Sequence, residues 1–92
     1  MAASWVVTKA GLRNGRKFCY GTWYGGGGAG TTTMSLRDTD YSINAGIYKI
    51  ERFSIDDDSS NPFMVNQSTP AMLKVVVAEA DTGTFYIEGL CA

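Results

Sequence analysis

The chain of 92 residues contains no histidine. Without imidazole there is no Ser-His or Cys-His pair, no histidine metal ligand and no side chain whose ordinary titration falls near neutral pH. The hydrolytic and metal chemistries that depend on imidazole fall together, so the chain reads as a non-enzyme with no cofactor and no metal centre. Cysteine occurs only as Cys19 and Cys91, and no CxxC spacing suggests a metal knuckle or a redox pair. In a reducing cytosol both are expected to act as small buried hydrophobes, with a disulfide between them as the alternative. Charge is scarce and balanced: eight Lys and Arg face nine Asp and Glu, with no blocks of one sign. A nucleic-acid partner calls for a basic field, so none is expected. No apolar run approaches the roughly 18 residues of a membrane span. The segment MAASWVVTKAG also lacks an apolar core of signal-peptide length, so the chain is expected to be made and used without secretion and to meet no membrane.

What is present is apolar and aromatic. Hydrophobic residues make up 45% of the chain, with two Trp, five Tyr and four Phe. A chain this short is expected to form one β domain, 1–92, that buries only about 60 to 65% of its unfolded surface. Low charge and a marginal core together point to surface hidden against partners, including further copies of the chain.

The stretch that organises the rest is Arg16–Gly30, RKFCYGTWYGGGGAG, an aromatic strand running into a tract with five glycines in six residues. Trp5–Lys9 before it is β-branched and aromatic, and Asn14-Gly15 between them supplies a tight primed turn, so a first hairpin is expected. Within the second strand Phe18, Tyr20, Thr22 and Tyr24 share one face and Lys17, Cys19, Gly21 and Trp23 the other. Aromatics on both faces imply that both are covered. Gly25–Gly30 is expected to be a mobile or tightly turned loop, because glycine weakens a strand interior. Thr31–Arg37 reads as a short strand and Tyr41–Ile55 as another, with a bulge where the apolar set changes face between Ile50 and Phe53. Asp56–Pro70 reads as a long polar loop whose apolar trio Phe63, Met64 and Val65 docks against the rest. Ala71–Glu79 and Thr84–Leu90 flank a turn and read as a second hairpin. The expected fold is all-β, a small antiparallel β-sandwich or partly open barrel of five or six strands.

Several motifs resemble sites by letter but differ in their chemistry. The glycine tract is no phosphate loop, since Thr31 stands where the GxxxxGK motif needs its lysine, and no helix follows. Asp56, Asp58 and Ser60 alternate like the start of a calcium loop, but Pro62 interrupts the ligands and Gln67 replaces the bidentate Glu, so a solvated acidic loop is expected. Asn66-Gln67-Ser68 matches the glycosylation sequon by letter only. Glu51, Glu79, Asp81 and Glu88 read as surface charge. Trp5, Phe18, Tyr20, Trp23 and Tyr24 could stack on sugars or bases, though core and subunit interface are the commoner uses of such rings. These five, with Phe63 and Met64, are the expected interface residues.

Three stretches, MAASWVVTK to NGRKFCYGTWYGGGGAG, then GIYKIERFSI, then KVVVAEADTGTFYIEGL, together resemble short virion structural proteins of tailed bacteriophages. The likeness is carried by Ala3–Lys9, Gly21–Gly30, Gly46–Phe53 and Val75–Gly89, an early Ser-Trp strand, a Gly-Thr aromatic loop rich in glycine, and a closing aromatic hairpin. The resemblance implies a β-sandwich or barrel that adheres to a capsid or tail lattice and acts through its surfaces. It implies the major capsid protein lattice as partner, a role of the capsid decoration or cement type, and a place in the virion after synthesis in the host cytoplasm. Two alternatives stand beside it: a tail or head-tail accessory protein, and a small binding module for carbohydrate or a host protein built around Trp23, Tyr24 and the glycine loop. The glycine loop itself is expected to be flexible in the free protein and to order against a neighbour.

Overall fold

The computed structural model describes residues 3–36 and 47–91. They form seven strands: β1 (Ser4–Arg13), β2 (Arg16–Tyr24), β3 (Thr31–Leu36), β4 (Ile47–Asp57), β5 (Met64–Thr69), β6 (Met72–Ala78) and β7 (Thr82–Cys91). All pairings are antiparallel, in a four-stranded sheet of order β1-β2-β7-β4 and a three-stranded sheet of order β3-β6-β5. The sheets do not close into a barrel, so the fold is a small all-β sandwich, with seven strands where sequence pattern suggests five or six. Among the described residues there is no helix, and none long and apolar enough to cross a membrane.

The first hairpin forms as its turn residues dictate. Asn14 and Gly15 both take positive φ, 52° and 78°, the pair of left-handed conformations that a two-residue primed turn requires. In β4 the register shifts between Ile50 and Arg52, and again between Ile47 and Lys49. These bulges let Ile47, Ile50 and Ile55, unevenly spaced in sequence, all reach the core.

Two expected features are corrected. The C-terminal pair of strands is no hairpin: β6 lies in one sheet and β7 in the other, and residues 79–81 arch between the layers. Leu73, Val75 and Val77 of β6 and Phe85 and Ile87 of β7 belong to one buried cluster. Laid flat as a hairpin, both sets would line one side of a single sheet, and an arch instead sets them against each other across the core. The stretch Asp56–Pro70 is likewise not one loop. Asp56 and Asp57 finish β4, Met64–Thr69 is β5, and the second hairpin of the molecule is β5 with β6. β5 is polar because it is an edge strand whose side chains, Val65 apart, are exposed. The loop between β4 and β5 and the glycine tract between β2 and β3 also pass from one sheet to the other. Arg37 and residues 41–46 of the expected strands lie outside the described residues.

Between the layers sit Trp5, Trp23, Cys19, Met34, Leu36, Leu73, Val75, Val77, Phe85 and Ile87. The Trp5 and Phe85 rings meet edge to face at 5.3 Å. Each buried indole keeps its N–H satisfied, Trp5 donating to the Ser35 carbonyl at 3.2 Å and Trp23 to the Asp56 carbonyl at 3.0 Å. Cys19 is a free, fully buried thiol, and the Cys91 side chain lies outside what is described.

Burial pushes the Cys19 thiol up from 9.0 to about 11, against a smaller opposing pull from Lys17. The folded thiol therefore stays protonated and inert near neutral pH. Iodoacetamide at mildly alkaline pH should label the Cys19 peptide far more slowly in native than in urea-unfolded protein, read by mass spectrometry; equal rates would contradict its burial. Because the folded pKa lies above the unfolded one, no stability is lost below 9.0, and stability declines from there to about 11 as only the unfolded chain ionises.

Candidate functional site

Strand alternation sends Cys19, Trp23, Phe85 and Ile87 inward, and so turns their neighbours Phe18, Tyr20, Tyr86 and Glu88 to the outer face of the four-stranded sheet. Register sets Tyr20 beside Tyr86 and Phe18 beside Glu88 on adjacent strands, with Gly11 of β1 flanking Phe18 and Arg52 of β4 flanking Glu88. The rings of Phe18, Tyr20 and Tyr86 are 6.3, 6.4 and 6.5 Å apart and within 12 to 18° of parallel. Three parallel rings at nearly equal separations cannot form a column, in which the outer two would be twice as far apart. They form a raft.

Charge borders the raft at its Phe18 end. The Arg13 guanidinium lies over the Phe18 ring at 5.1 Å, and on its β1 side that ring spreads across Gly11, where an added Cβ would meet it at 3.2 Å. Phe18 is consequently buried and Tyr20 is 37% exposed. The Tyr86 hydroxyl donates to Glu88 Oε1 at 3.2 Å, and Arg52 approaches the same oxygen at 3.7 Å. Burial, together with that hydrogen bond and the Glu88 charge, holds the Tyr86 phenol above its ordinary value. Arg16 pairs with Glu51 at the same end of the sheet. Exposed ring edges framed by paired cations and carboxylates suit recognition by apolar contact with a polar rim.

The seven expected interface residues separate into three groups. Phe18 and Tyr20 meet on the raft. Trp5 and Trp23 are 1% exposed and lie inside the sandwich, so neither reaches an outer surface. Phe63 and Met64 stand at the start of β5 on the other sheet, and both are exposed where docking was expected; of that trio only Val65 touches the core. Tyr24, partly buried, sets its hydroxyl against Gly27. Sequence reading missed Tyr86. Its alternation partners Phe85 and Ile87 carried the signal, but placing it beside Tyr20 needs the β2-β7 pairing, which joins distant parts of the chain.

The glycine tract is the tightly turned form of the expected loop, with positive φ at Gly26 and Gly27. It bonds to this chain's own backbone: Gly25 N–H donates to the Asp81 carbonyl at 3.0 Å, Gly27 N–H to that of Glu79 at 2.6 Å, and Glu79 N–H to that of Gly30 at 2.8 Å. Two neighbouring arches are thereby sewn together. A Cβ at Gly25 would come within 2.7 Å of the Ala78 carbonyl oxygen, so the close approach demands glycine. The acidic triplet supports the same end of the sandwich. Asp56 accepts from Trp23, Asp58 N–H donates to the Thr82 carbonyl at 2.9 Å, and the Ser59 hydroxyl lies 2.8 Å from Asp57 Oδ1 and 2.7 Å from Asp81 Oδ2. One hydroxyl proton can serve only one of these carboxylates at a time. Asn61 adds a donor to Asp81 at 3.2 Å. Among the described residues no group of three or more Asp, Glu or Cys could hold a metal ion.

Asp81 was expected to be surface charge, yet it is 7% exposed. The Ser59 hydrogen bond, with help from Asp57 and Asn61, holds its carboxyl below the ordinary 3.8, and desolvation only partly offsets this. A depressed folded pKa means stability that is present above 3.8 and lost as pH falls through that value toward the lower folded one. Thermal midpoints followed down the acid range should fall less steeply for Asp81→Asn than for the parent chain; parallel slopes would remove Asp81 from the acid response.

No protein-family model matches the chain, and no curated protein or solved structure does so either.

Proposed function

We propose that the chain is a structural interaction protein of a tailed-phage particle, a capsid decoration or cement protein that seats on the shell lattice through the outer face of its four-stranded sheet. The observation that carries this reading is the raft of Phe18, Tyr20 and Tyr86 on the outer face, where Tyr20 is exposed and Tyr86 half-buried, on a sandwich whose two tryptophans are enclosed. The resemblance of Ala3–Lys9, Gly21–Gly30, Gly46–Phe53 and Val75–Gly89 to virion proteins supports it. A symmetric lattice also suits so small a core, because binding only the folded form stabilises that form by mass action.

Particles purified from infected cells should carry the protein in many copies, and imaging with and without it should show extra density on the shell. Density confined to the tail would move the role to a tail or head-tail accessory protein. Protein found only free in the lysate would overturn both. A binding module for carbohydrate or a host protein built around Trp23 would lack that ring at its surface, since Trp23 is enclosed.

A further inference from the structure

Charge that balances along the chain is separated in space. No Asp or Glu precedes Asp38, so β1, β2 and β3 carry cations alone. Register gathers them: Arg13 pairs with Arg16 at one end of the four-stranded sheet, and Lys17, Lys49 and Arg52 lie in the adjoining rows of that end. Two carboxylates stand among these five cations, and both already face arginines, Glu51 with Arg16 and Glu88 with Arg52. Lys9 lies midway along the sheet and Lys74 on the other sheet, while Arg37, Asp38 and Asp40 lie outside the described residues.

The opposite end has the opposite sign. Asp56 and Asp57 finish β4 there, Asp58 follows with its N–H on the Thr82 carbonyl, and Glu79 and Asp81 stand in the arch that holds the glycine tract. Among the described residues none of these five carboxylates meets a Lys or Arg. Each end also leaves apolar surface bare. Leu12 and Tyr48, 68% and 52% exposed, lie at the cationic end, opposite Lys17 and beside Lys49. Phe63 and Met64 lie at the acidic end, where Asn61 of their loop donates to Asp81 and Met64 pairs with Val76 near the close of β6. Four of the seven exposed large hydrophobic residues thus fall at the two ends.

We infer that copies of this chain associate head to tail, the cationic end of one seated on the acidic end of the next. Charge complementarity names the occupant. Cations around exposed Leu12 and Tyr48 fit an acidic surface with apolar side chains to cover, and the far end of the same molecule is such a surface. A nucleic acid would answer the cations but leave Phe63 and Met64 in water. Each end complements the other and repels its own kind, so the contact is heterologous, and its repetition makes a ring or a filament in place of a closed pair. Strands of ten and eleven residues set the 41 Å long axis, and the ends are the small faces, 23 by 21 Å. Each contact is therefore weak and sensitive to salt. This inference does not depend on the virion reading.

Sedimentation equilibrium of the full chain tests it. At about 50 mM salt the parent chain should form species larger than a dimer as concentration rises, and at about 500 mM it should return toward monomer. Arg13→Glu with Lys49→Glu breaks the cationic end and Phe63→Ser with Met64→Ser the acidic one; each pair should weaken association at least about tenfold. All four side chains are exposed, so both variants should keep the parent's circular dichroism. Mixed one to one, the two variants should give a dimer and nothing larger, because each retains the end that the other has lost. Tyr20→Ser on the raft should change nothing. A parent chain that stays monomeric, one that stops at a dimer, association indifferent to salt, a mixture without dimer, or association lost through Tyr20→Ser would each overturn the assignment. So would a monomer that holds a labelled oligothymidylate through Arg13 and Lys49, which would give the cationic end to nucleic acid.

Discussion

Gly83→Ala is expected to cost about 3 kcal/mol of stability and to lower the thermal midpoint by about 10 to 20 °C, as overpacking in a core this small should. Gly83 sits in β7 between Trp23 of β2 and Asp57 of β4. A Cβ there would stand 2.5 Å from both Cε2 and Nε1 of the Trp23 indole and would also strike the Asp56 carbonyl oxygen. Neither obstacle is the free end of a flexible chain. Trp23 is fully enclosed and its N–H holds that same carbonyl, so moving the ring breaks a buried hydrogen bond and opens the core together. Gly15 is the matched control. Its φ of +78° disfavours a side chain, but nothing lies within 4 Å, so Gly15→Ala should cost only the left-handed penalty of about 1 to 2 kcal/mol. Thermal unfolding followed by circular dichroism separates the two; a Gly83→Ala protein that melts no lower than Gly15→Ala would mean that the indole does not rest on this glycine.

The same glycine shows where sequence reading stops. Alternation correctly divides β2 into Phe18, Tyr20, Thr22 and Tyr24 on one face and Cys19, Gly21 and Trp23 on the other, yet it does not say which face is inside. Both carry aromatics. The inward face is decided by room: Gly83 of β7 leaves space for the Trp23 indole of β2, and that complementarity joins strands far apart in the chain. Local features were legible for the converse reason. Asn14-Gly15 fixes its turn within two residues, and the β4 bulge follows from Ile50 and Phe53 competing for one face over a few positions. The turn before Thr82 has the residues of a hairpin but acts as an arch, because the apolar faces of β6 and β7 need each other across the core. Of the candidate site, two members of the raft could be read from β2 alone. Tyr86 could not, since β2 and β7 are paired only by the fold.

Replacing Tyr20 and Tyr86 together by serine is expected to reduce binding of the purified protein to particles lacking it by about a hundredfold or more, on the usual scale for aromatic residues at the centre of an interface. Tyr20 is exposed and Tyr86 half-buried, and Phe18, held between Gly11 and Arg13, keeps its contacts, so the sandwich should stay folded. Arg13→Ala should act differently. It uncovers Phe18 without shortening the raft, and as a rim cation it should change chiefly the rate of association and its salt dependence. The pattern matters more than either number. Loss with the tyrosines and mild, salt-sensitive change with Arg13 is the signature of an apolar centre with a charged border, whereas full binding by the double serine variant would take the raft out of the particle contact.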